Sequence, residues 1–343
     1  MSSNRTAQLP RAAIAAGLVG AVALGVAGAL VLTAVAPVPG LPEPGAVVRF
    51  GLPVVRAVLF VAAVVTVGLS VLPKLLGFDR PALTEPVLGT VRRAAVVSSA
   101  VWVLAALAMV LLLVAELRPG QQIGIGHVLE FMRKVGAGQA LAMSAVSALV
   151  YFNIALLAVR SGESVPAELR MLVALFALLP LPVGGHAANF GLLWGGHGLL
   201  MASMELHVIA ASLWTGGLAV LVYFVSARRD LLAAALPRFS KLATVCLLLV
   251  LVTGTINALV QLATTPLVEL PGGLFTTGYG QLVLLKSVCL VLLAALGGRI
   301  RFRLLPLIAA RRSAPLVAWA AAEVVVMGVA FGLAVVLSRT PAI

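Results

Sequence analysis

Three of this chain's four histidines crowd one stretch. It reads Gly185-His186-Ala187-Ala188-Asn189-Phe190-Gly191-Leu192-Leu193-Trp194-Gly195-Gly196-His197-Gly198 and runs on through Met201, Met204, Glu205 and His207. If a helix begins near His197, then His197, Met201 and Met204 fall at i, i+4 and i+7 on one face. His207 lies three residues beyond Met204, on the flank of that stripe. Imidazole and thioether donors suit copper, thioether favouring Cu(I) and imidazole serving either oxidation state. Magnesium or calcium would want several carboxylates, and Glu205 is the one carboxylate nearby. A copper ion is the expected ligand, with His186, His207, Met204 and His197 as candidate donors. Taken singly, each residue has a plainer role: an interfacial hydrogen bond for a histidine, packing for a methionine. His127, far from the others in sequence, is read in that plainer way.

Other polar residues interrupt long apolar runs. Asn257 and Gln261 are i, i+4, with Thr253 on the same face, and such a stripe must face protein or a water-filled cavity. Lys286 follows Thr277-Gly278-Tyr279-Gly280 and lies about a turn and a half into its apolar run, where snorkelling to the headgroups is its simplest role. Glu323 sits well inside the last run. A carboxylate at mid-bilayer costs on the order of 2.5–3.5 kcal/mol, so it needs a partner or a proton. Glu205 is either a metal ligand or a partner for Lys286. Cys246 and Cys289 both fall in apolar runs and read as small core residues, with no secreted disulfide framework.

The elements that carry these residues are membrane helices. Of 343 residues, 62% are hydrophobic and 10% charged, and the mean hydropathy is +1.15. A soluble domain cannot hide so much apolar surface, so lipid is the solvent. Apolar runs at 12–35, 53–73, 94–116, 139–159, 169–188, 199–226, 240–262, 280–300 and 315–338 predict about nine spanning helices. They are too long and too continuously apolar for barrel strands. Pro180, Pro182, Gly184 and Gly185 predict that the fifth run kinks or stops just before His186. The first run resembles a signal peptide, but its length favours an uncleaved helix.

The net charge is +13. The basic residues lie in short loops, where they set orientation and do not point to nucleic acid. With the N-terminus inside, seventeen of the 24 basic residues fall on the inner side, Arg92 and Arg170 among them, and six on the outer. The prediction is an all-α polytopic bundle in the cytoplasmic membrane, N-terminus inside and C-terminus outside, with the histidines at the outer rim. No Walker A, nucleophile-elbow or zincin motif occurs, and no Cys-Pro-Cys of a metal-pumping ATPase, so enzymatic activity is not expected.

The run Leu206-His207-Val208-Ile209-Ala210-Ala211-Ser212-Leu213-Trp214-Thr215-Gly216-Gly217-Leu218 resembles the signature of the copper resistance protein D (CopD) family. Gly185-His186-Ala187, Thr253-Gly254-Thr255-Ile256-Asn257-Ala258, Thr277-Gly278-Tyr279-Gly280-Gln281-Leu282-Val283-Leu284-Leu285-Lys286 and a last span with Glu323 and Thr340-Pro341 continue that resemblance in order. It covers roughly residues 180–343. Arg49-Phe50-Gly51-Leu52-Pro53 and Thr66-Val67-Gly68 look like the extension of actinobacterial members. The implied organisation is a four-helix N-terminal region over 1–165 and a five-helix CopD-like domain over 166–343. The resemblance further implies copper passage across the inner membrane, with His186 and His207 as outer ligands and Trp214, Asn257, Lys286 and Glu323 as neighbouring motif positions. It also implies a separate periplasmic copper-binding partner of the CopC kind, since no such domain is fused here.

The expectation is therefore a copper-handling membrane protein that moves copper inward. The rival is a haem-binding or cytochrome-oxidase-assembly factor, in which histidines from two helices hold haem or pass copper on. A third possibility is a structural membrane subunit without metal.

Overall fold

In a bilayer each backbone N–H and C=O must find its partner within the protein, and a helix provides one for nearly all of them. The computed structural model describes residues 11–33, 44–184, 196–265, 269, 271–304 and 316–340. Within them every one of the nine apolar runs is helical. The helices are α1 (Arg11–Leu32), α2 (Ala46–Leu76), α3 (Pro81–Leu117), α4 (Ile125–Lys134), α5 (Gly136–Ser161), α6 (Ala167–Leu178), α7 (Gly196–Val225), α8 (Arg229–Ala263), α9 (Gly273–Thr276), α10 (Gly278–Arg299) and α11 (Leu316–Leu337). No strand occurs among the described residues. Among the described residues, seven helices are long and apolar enough to cross a membrane: α2, α3, α5, α7, α8, α10 and α11. Ala16–Leu32 of α1 forms a shorter apolar helix. The chain is a multi-pass membrane protein.

α6 is short for a physical reason. Its regular helix ends at Leu178, and a 3-10 turn over Leu181–Gly184 follows across Pro180 and Pro182, because proline cannot donate to the turn before it. The predicted break therefore falls where the two prolines stand. His186 lies beyond it, outside the described residues.

α2 is the hub, packed on α3, α6, α7 and α8; α3 packs on α5, α10 on α11, and α1 along α11. Two crossings depend on missing side chains. A Cβ on Gly68 of α2 would stand 2.2 Å from the Gly216 carbonyl oxygen, and one on Gly216 of α7 would stand 2.1 Å from that of Val64. The backbones touch, as small residues permit in membranes. Gly25 of α1 and Gly332 of α11 do the same, each placing a notional Cβ 2.4 Å from a carbonyl oxygen of the other helix. α1 is thereby fitted into the bundle as a packed helix.

Contacts between helix termini define two ends. At the basic end, Arg238 Nη1 donates to the Leu75 carbonyl at 3.1 Å, and Arg301 Nη1 donates to Thr244 Oγ1 at 2.5 Å. Glu163 there accepts from Arg92 at 2.9 Å and from Arg170 at 2.5 Å, while Glu85 also pairs with Arg92. Arg92 and Arg170 are buried, at 6% and 4% exposure. They differ from the solvated loop charges used to orient the chain: these two are internal fasteners joining α3 to α6. At the opposite end, Arg339 pairs with Glu116 at 2.8 Å and Arg56 donates to Ser338 Oγ at 3.3 Å. The start of α7 and the end of α8, with His207, belong to this second end.

Candidate metal site

The site is built where α7 and α8 lie against each other. His207 projects from α7, and its Nδ1 lies 3.0 Å from Thr253 Oγ1 on α8. The threonine hydroxyl donates its own proton to the Leu249 carbonyl at 2.5 Å, so toward the ring it can only accept. Nδ1 therefore carries the proton and Nε2 keeps its lone pair. This is the arrangement in which an outer partner fixes the tautomer of a ligating histidine. Gly254 makes room for it: a Cβ there would meet His207 Cε1 at 3.1 Å and Nδ1 at 3.5 Å.

One turn before His207, Met204 presents its thioether to Asn257. Asn257 Nδ2 donates to Met204 Sδ at 3.9 Å, a weak contact. Asn257 is buried, and its Oδ1 has no hydrogen-bond partner among the described residues; the same is true of Ser203 Oγ beside Met204. Buried acceptors are rarely left empty, and orphaned ones mark places where an ion or water belongs. Nε2 of His207, Sδ of Met204 and Oδ1 of Asn257 are an imidazole nitrogen, a thioether and a carbonyl on one helix pair, donor types that suit copper. Sequence had singled out the Thr253–Asn257 stripe. It gave no sign of Ser203, an isolated serine in an apolar helix, or of the clearance that Gly254 supplies.

The remaining candidates divide by position. Lys286 on α10 lies within electrostatic reach of His207. No ion pair joins it to Glu205, which is half-buried on α7. The backbone of His197 falls in the first turn of α7, and His127 is occupied elsewhere, accepting from the Gly124 N–H at 3.3 Å to cap α4. No group of three or more His, Cys, Asp and Glu gathers among the described residues.

Trp214 and Glu323 are not part of this cluster. They line a separate cavity of about 450 Å³ between α7, α8, α10 and α11, with Phe239, Leu293 and Gly297 in its wall and Thr244 and Arg301 toward the basic end. Trp214 lies seven residues after His207, about 10 Å along the helix. Both Trp214 and Glu323 are buried, at 4% exposure each. The indole N–H faces the carboxylate but closes no well-formed hydrogen bond, leaving Nε1 without a partner.

Two family models match the chain: the copper resistance protein D-like N-terminal domain over residues 47–195, and copper resistance protein D over residues 233–337. The chain belongs to the copper resistance protein D family. No curated protein and no solved structure matches it. In this family member Thr253, Asn257, Lys286 and Glu323 fall inside the copper resistance protein D segment, and His186 falls inside the N-terminal-domain segment. The stretch 196–232, with Met204, His207 and Trp214, joins the two. The candidate donors on α7 thus meet their α8 partners across the boundary of the matched segment.

Proposed function

We propose that this integral membrane copper-resistance protein captures copper at the His207 end and carries it across the cytoplasmic membrane to the basic end. The observation that carries the reading is the fixed imidazole: Nδ1 tied to Thr253, Nε2 free, with Met204 Sδ and the orphaned Asn257 Oδ1 on the same helix pair. Copper is the substrate of this site, held during transit. His186, His197 and Glu205 are further donors in the proposal, brought from the start of α7 and the segment before it. The excess of basic residues at the opposite end supports an outward-facing histidine end; the proposal therefore has capture from the periplasmic side, with a CopC-like copper-binding protein as donor.

The test is metal analysis of purified protein loaded with copper. Copper should bind to the wild-type chain and be lost in His207→Ala and in His186→Ala. Copper retained in both variants would contradict the site. A Soret band, with iron in place of copper, would replace it with haem.

A further inference from the structure

Copper capture at His207 leaves the cavity at Trp214 and Glu323 without a role, although it holds buried polar groups that demand one. Glu323 is deeply buried, and no Lys or Arg pairs with it among the described residues. A membrane carboxylate in that position is a functional site by default, because burying it without a cation is costly. Trp214 Nε1, facing the same carboxylate, closes no well-formed hydrogen bond among the described residues. Space beside the carboxylate is kept open: a Cβ on Gly297 would lie 3.7 Å from Glu323 Oε1. From there the cavity extends past Phe239 and Leu293 to Ser240, Thr244 and Arg301 at the basic end.

The cavity and the His207 site lie on one line. His207 and Trp214 are seven residues apart on α7, two helical turns and therefore the same face. On α10 the same spacing links Lys286, within electrostatic reach of His207, to Leu293 in the cavity wall, and Gly297 follows one turn further on. The helix faces that form the capture site at one end form the cavity at the other.

We infer that Glu323 is a second cation site, which receives copper from the His207 site and releases it through the cavity toward the basic end. This inference rests on the transport reading above. The site is built to hold weakly. It offers one carboxylate without the imidazole or thioether that make the first site copper-selective, and conduction requires a last site that the ion can leave.

The experiment compares the full-length wild-type chain with Glu323→Gln, Glu323→Asp and Gly297→Leu, measuring both cellular copper accumulation and copper bound per purified protein. Glu323→Gln should lower accumulation by about tenfold or more, the loss of one charged contact, while copper bound at His207 is unchanged. Glu323→Asp, which keeps the carboxylate and serves as the folding control, should retain most of the accumulation. Gly297→Leu should reproduce the defect by filling the space beside an intact carboxylate. The inference is overturned if Glu323→Gln and Gly297→Leu accumulate copper as the wild type does while His207→Ala does not. It is also overturned if Glu323→Gln loses bound copper as His207→Ala does, since Glu323 would then belong to the first site. Wild-type accumulation in His207→Ala would mean that the transport reading itself has failed.

Discussion

His207 Nδ1 and Thr253 Oγ1 stand 3.0 Å apart across the α7–α8 contact. Because the threonine proton is already given to Leu249, the pair fixes which imidazole nitrogen carries hydrogen. Thr253 thereby acts on any ion at Nε2 without touching it.

Replacing Thr253 with the isosteric valine removes this acceptor and little else. Copper affinity should fall about 10–100-fold, the usual cost of losing a partner behind a ligating histidine, with the thermal midpoint nearly unchanged. Gly254→Val should act in the same direction, since its Cβ would already crowd the ring at 3.1 Å. Competition against a chelator of known affinity measures both.

Met204→Leu keeps the volume and removes the sulfur. Cu(I) binding should weaken about tenfold, and Cu(II) binding much less, because thioether is the softer donor. Equal losses for the two ions would place Met204 in packing alone.

Gly216→Ala adds a Cβ where the Val64 carbonyl stands 2.1 Å away. α2 and α7 must then separate, and the overpacking should cost about 1–3 kcal/mol. A lowered melting midpoint in detergent checks this. Gly298→Ala, where no atom lies within 4 Å of a Cβ, is the control and should leave the midpoint unchanged.

Glu163→Gln leaves Arg92 and Arg170, both buried, without the carboxylate they share. Removing one partner of a buried ion pair costs about 3–5 kcal/mol, so the midpoint should fall steeply. Glu168→Gln breaks only the exposed pair with Lys74 and should leave it where it was.

Much of this architecture can be read along the chain, and the rest only across it. Continuous apolarity marked every spanning helix, and Pro180 with Pro182 marked the end of α6, because both signals are local. The short helices α4 and α9 carry no long apolar run and were not foreseen. Thr253 and Asn257 announced themselves as polar residues one turn apart in lipid, yet their partners His207 and Met204 are some fifty residues away and become neighbours only when α7 meets α8. Arg92 and Arg170 look like ordinary loop charges until Glu163 is brought to them. Lys286 reads as a snorkelling residue, and the fold brings it within electrostatic reach of His207. Trp214 and Glu323 read in sequence as separate motif positions, and two turns of α7 lie between His207 and Trp214. His186, the second imidazole of the sequence reading, lies outside the described residues.

Cellular copper content tests the central claim most directly, compared among cells with the gene, without it, and with His207→Ala in its place, at equal membrane expression. Inward passage through the His207 site predicts higher copper with the wild-type gene, and His207→Ala content equal to that of the deletion. Identical copper in all three strains would contradict it.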